Sequence, residues 1–173
     1  MKRRIHDFNG FLNEMNGYGD EPFFFAKDGE QCNYLFKIES KESDKHVGLV
    51  ISIGKFSKFT EPGEAKAEYG VISITKLTEA ELDQAVTDKG KFESNEHVIE
   101  VDSDMLGNIM VTLTQAIENY LQNNSKVNKF YDEMQSNIQS DIYEEYIKNS
   151  VDEWPGEWNF QEIEKMKLNL ISK

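Results

Sequence analysis

The side chains that could do chemistry are few and scattered. There are three histidines, at 6, 46 and 97, and no H-x-H or H-x-x-x-H spacing brings two of them to one metal ion. The single cysteine, Cys32, opens an alternating apolar stretch. That is where a small buried hydrophobe sits more often than a nucleophile with a base beside it. Asp102 and Asp104 in "VDSDM" have the D-x-D spacing that some glycosyl-transfer sites use for a divalent cation. The second acid also suits the first turn of a helix, where the backbone dipole favours it. Carboxylates recur in "YDEMQ" and "YEEYI" at helical spacing. Desolvated, such pairs do acid–base work; on an amphipathic helix they form the wet face. No G-x-x-x-x-G-K, G-x-G-x-x-G or G-x-S-x-G occurs, so the common nucleotide and hydrolase signatures are missing. The expectation is a non-enzyme with no metal or cofactor.

The elements that position these residues follow from hydrophobic period. Ile5, Phe8, Leu12 and Met15 predict a short amphipathic helix. "FFFAKDGEQCNYLFKIES" predicts a hairpin about Asp28-Gly29, with "HVGLVISIGKF" and "EYGVISITKL" as the next strands. Short polar turns between neighbours make an antiparallel meander. Thr78 and Glu81 have capping-box spacing ahead of a helix with Leu82, Ala85 and Val86 inward. "EHVIEVD" predicts one more strand. From Ser103 onward the pattern is helical: Leu106, Ile109, Met110, Leu113, Ile117, Tyr120 and Leu121 make a broad stripe. A second helix is expected along Val127, Phe130, Met134, Ile138, Tyr143 and Ile147. A third, capped by Asn159 and Glu162, follows Phe160, Ile163, Met166 and Leu170. The fold class expected is α+β: a mainly antiparallel sheet of four to five strands packed by helices. Residues 1–124 form its body and residues 125–173 a helical C-terminal arm.

Composition limits the partners. The 173 residues are 38% hydrophobic and 12% aromatic, which suits a folded chain with a well-wetted surface. The net charge of −13 is unevenly placed. Residues 1–60 hold 9 Lys/Arg and 9 Asp/Glu, while the remainder holds 10 against 23. Such a field repels phosphate backbones, so no direct nucleic-acid binding is expected, and other protein subunits are the expected partners. One cysteine leaves no internal disulfide, which fits synthesis in a reducing cytoplasm. The N-terminal stretch has no continuous apolar core of a signal peptide, and no run approaches the roughly 20 apolar residues that cross a bilayer, so no membrane association is expected.

Both tryptophans fall in "DEWPGEWNF", around a Pro-Gly corner. Two readings are open. Trp154 and Trp158 fold back under the last helix as a staple, or, with Glu153, Glu157 and Phe160, they anchor another protein, since tryptophan is enriched at binding hot spots. The basic cluster Lys2-Arg3-Arg4 is the complementary candidate contact. A basic tip and an acidic second half favour head-to-tail contacts, which close into homo-oligomeric rings.

The stretch "ENYLQNNSKVNKFYDEMQSNIQSDIYEEYIKN" is crowded with Asn, Lys, Ile, Tyr and Glu at the expense of Ala, Arg, Pro and Gly. In this composition, and in its split helical tail, the segment 103–173 resembles small virion proteins of tailed bacteriophages, including neck or ring proteins of crAss-like gut phages. The resemblance implies a head–tail connector in the virion, synthesised in the host cytoplasm, between portal and tail. The alternative of another class is a small acidic inhibitor or immunity-type protein that masks a basic surface, with the acids of residues 131–157 facing one concave patch.

Overall fold

The computed structural model describes residues 23–39, 46–58, 67–93, 99–134, 138–140, 142–163 and 168–173. The helix expected over residues 5–15 lies outside them. Strands β1 (Phe24–Asp28) and β2 (Gln31–Glu39) form the expected hairpin. Asp28 stands opposite Gln31 and Gly29 takes φ +60°, the left-handed conformation that a two-residue loop requires. Strands β3 (His46–Lys58) and β4 (Ala67–Leu77) continue the antiparallel meander.

Alternation sorts the side chains. Tyr34, Phe36 and Ile38 of β2 lie on one face with Leu49, Ile51 and Ile53 of β3 and Ile72 and Ile74 of β4. Leu35, Val50 and Leu77 belong to the other. Both faces are covered here, which is why residues 32–38 are buried without a break. Helix α1 (Glu79–Thr87) covers the second face with Leu82 and Ala85. It begins at the predicted capping box: the Thr78 N–H donates to Glu81 at 2.7 Å, and the Glu81 N–H donates to the Thr78 hydroxyl. Helix α2 (Ser103–Asn123) covers the first face with Leu106, Ile109, Leu113 and Ile117, as its stripe predicts.

After α2 the structure departs from the expectation. Strand β6 (Lys129–Asp132) pairs parallel with β4, Gly70 opposite Phe130. A parallel neighbour needs a long crossover, here the segment carrying α1, the short β5 (Ile99–Glu100) and α2. A two-residue β7 (Ile138–Gln139) pairs with β5 in a second, two-stranded sheet. Helix α3 (Tyr143–Asp152) follows, buried through Tyr143, Ile147 and Val151 at four-residue steps. The chain then forms the hairpin β8 (Asn159–Ile163) and β9 (Leu168–Ser172). Among the described residues the main sheet has seven strands in the order β1-β2-β3-β4-β6-β9-β8, not four or five.

The helical arm expected over residues 125–173 is therefore corrected: among the described residues of that stretch there are one helix and four strands, and three of those strands complete the body's own sheet. The physical reason is the pairing partner. Phe130 sits beside Ile171 and Lys129 beside Ser172, more than forty residues away in sequence, so the register is invisible to a local period. A stripe at 160, 163, 166 and 170 fits a helix as well as a bent hairpin when read alone.

Candidate functional site

The tryptophan corner is built where α3 ends. Its backbone turns at Glu153 and Trp154, and Gly156 takes φ +105°, a conformation that disfavours any side chain. Trp154 is 2% exposed and Trp158 8%. The two rings lie 6.0 Å apart and edge-on, and both meet Phe130 of β6, at 5.7 and 5.3 Å between centroids. Tyr120 of α2 closes the cluster against Phe130. Burial of the indole N–H groups is made tolerable by acceptors. Trp154 donates to the Ser150 hydroxyl at 3.1 Å, which also meets Thr114 of α2, and Trp158 donates to the Pro155 carbonyl at 2.9 Å. The Lys173 ammonium sits 5.0 Å above the Trp158 ring.

Of the two readings of this corner, the geometry is that of the staple, and what it fastens is the end of α3 to β6 and α2 rather than a last helix. Glu153 and Glu157 are exposed beside it, and Phe160 is half-buried with the Lys148 ammonium over its ring at 5.4 Å. Lys2, Arg3 and Arg4 lie outside the described residues. The predicted protein contacts thus separate into two buried rings and a surface of acids.

The candidate chemical residues are held in structural roles. Cys32 is buried, and desolvation pushes its thiol pKa up, against a smaller opposing effect from Lys27. Asp102 is the N-cap of α2, accepting from the Met105 N–H at 2.9 Å, and Asp104 occupies the first turn. Among the described residues no three His, Cys, Asp or Glu side chains come together as metal ligands. Asp132, at the end of β6, is wholly buried. Its carboxylate accepts from the Met134 N–H at 2.9 Å and from the Tyr143 hydroxyl at 2.5 Å. Burial, then the Asp132 charge and that hydrogen bond, drive the Tyr143 pKa far up, so this phenol stays protonated and ties α3 to β6. The acids of residues 131–157 accordingly do not all face one patch.

Two features of the sheet face opposite α2 are left accessible. The first is a strip of half-buried side chains: Tyr69 and Val71 of β4, Tyr131 of β6 and Leu170 of β9. Tyr69 and Tyr131 meet edge-on at 5.3 Å. Helix α1 packs on the same face, over β3 and the C-terminal end of β4. The second is a groove of about 460 Å³ beside α1, floored by Leu77, Ala85 and Phe92 and rimmed by Glu81, Asp88, Lys91 and Glu93. The strip is not apparent from the sequence, where the stripe through Phe130 and Met134 places Tyr131 on a helix. The signal available was the run Lys129-Phe130-Tyr131-Asp132, whose alternate members Phe130 and Asp132 are buried.

Comparison of the chain with family models, with curated proteins and with solved structures finds no match. Among the described residues no helix is long and apolar enough to cross a membrane.

Proposed function

We propose that this chain is a non-catalytic structural subunit that works through protein–protein contacts, as a component of the neck ring that joins head and tail in a tailed phage. The observation that carries the reading is the strip Tyr69, Val71, Tyr131 and Leu170. It is a row of aromatic and aliphatic side chains on a sheet, left half-open on the face where α1 leaves room for a neighbour. Tyrosine is among the residues most enriched at such contacts. The charge asymmetry of the sequence and the composition of residues 103–173 supply the ring and the phage context. With the indoles committed to the interior, the neighbour packs on this strip rather than on the tryptophan corner.

Light scattering on the full chain tests the reading. The expected result is a mass several times that of one chain at low salt. Tyr131→Glu, which puts a charge on the strip without touching the core face, is expected to reduce that mass to a monomer with unchanged circular dichroism. A strict monomer for the unaltered chain at high concentration in low salt overturns it and favours the acidic inhibitor.

A further inference from the structure

The groove beside α1 combines two properties. Its floor is apolar: Leu77 and Ala85 are buried and Phe92 is half-buried. Its rim holds three carboxylates, Glu81, Asp88 and Glu93, against the one ammonium of Lys91. All four rim residues are exposed. Asp88 ends α1, at the negative pole of the helix, and α1 has no basic residue in its last turn. Its carboxylate accepts from the Gln84 amide at 2.6 Å, which fixes one oxygen and leaves further lone pairs for a ligand. The complement of such a groove is a segment whose cations are joined to aliphatic carbon: long basic stems lie along the floor while their heads reach the rim.

This chain contains such a segment. Lys2-Arg3-Arg4 is its single basic cluster, and Ile5 follows directly. We infer that the groove seats Lys2-Arg3-Arg4-Ile5 of a neighbouring copy, the cations meeting Asp88 and Glu93 and the isoleucine meeting Leu77 and Phe92. The inference rests on the ring reading and deepens it by naming the contact. Groove and strip lie on the same face of the sheet, β4 contributing Leu77 to the one and Tyr69 and Val71 to the other. Groove and tip are different surfaces, so the contact is heterologous and repeats from copy to copy, as a closed ring requires.

Charge reversal on each side tests it with the full chain. Asp88→Lys with Glu93→Lys makes a basic groove. Both sites are exposed, and a cation at the end of α1 suits its dipole, so the fold is kept. Lys2→Glu, Arg3→Glu and Arg4→Glu together make an acidic tip. By light scattering at low salt, each variant alone is expected to be monomeric. An equimolar mixture pairs basic tip with acidic groove and acidic tip with basic groove, and is expected to regain the assembly. If the unaltered chain assembles and either variant alone still does, the groove contact is overturned while the ring reading stands. The same holds if both variants are monomeric and their mixture stays so. A monomeric unaltered chain overturns the ring reading, and this inference with it.

Discussion

One small polar arrangement decides how the loop after α1 meets the sheet. Asn33 is buried on β2; its amide donates to the Gly90 carbonyl at 2.9 Å, and its carbonyl oxygen accepts from Ser52 and Gln31. Gly90 has φ +85°, and a Cβ there would stand 2.2 Å from that of Ala26. Gly90→Ala therefore meets both strain and overlap and is expected to cost about 2–4 kcal/mol, read by urea unfolding. At the other end of the sheet, Tyr143→Phe leaves the buried Asp132 carboxylate short of a donor, at an expected cost of about 1–3 kcal/mol. The same substitution changes the alkaline limb. Tyr143 is raised from its ordinary value of 10.0, so its contribution is full below that pH and is lost as pH rises toward the folded value. Tyr34, also raised by burial, behaves alike. Stability of the unaltered chain is expected to fall above about pH 10, and to fall less steeply in Tyr143→Phe. An unchanged pH slope in that variant would refute the assignment.

At the scale of elements, the meander and the packing faces of α1 and α2 were legible in the sequence because their spacing is local. The β1–β2 turn, the capping box at Thr78 and the face of α2 each follow from residues a few positions apart. The last third was not legible. Phe130 finds Ile171 across the sheet, and no spacing within 126–149 or 159–173 records that. The indoles illustrate the same limit: a Pro-Gly turn read alone is open to solvent, whereas folded it lies under Tyr120 and Phe130, which come from elements far upstream. Trp154→Ala and Trp158→Ala are thus expected to act on stability, by about 3–5 kcal/mol each for a fully buried ring. Iodide should quench neither indole efficiently in the native chain. Efficient quenching with unchanged stability would return the corner to the surface.

Over the whole molecule, apolar material is divided between a large cluster under α2 and α3 and a small one under α1. Lys37 marks the boundary of the small cluster. It is 4% exposed, its ammonium 2.8 Å from Glu79 at the start of α1, so the charge that fails to reach water is met by the helix it supports. Most acids stay outside, which keeps the field of the second half strongly negative. That field is what the proposed basic tip answers. Legibility at this scale was mixed: the charge split can be counted from the sequence, whereas the half-open strip required the parallel joint of β4 and β6 to bring Tyr69 and Tyr131 together.

That joint also governs the order of assembly. Strands β1 to β4 can zip up one after another, yet β4 waits for a partner that lies beyond two helices in the chain. During the wait, one side of Val71 and Ile72 presents unmet amides and carbonyls to any other chain nearby. The nascent or refolding protein is accordingly safest when dilute, and its vulnerable moment ends when Phe130 slides in beside Gly70.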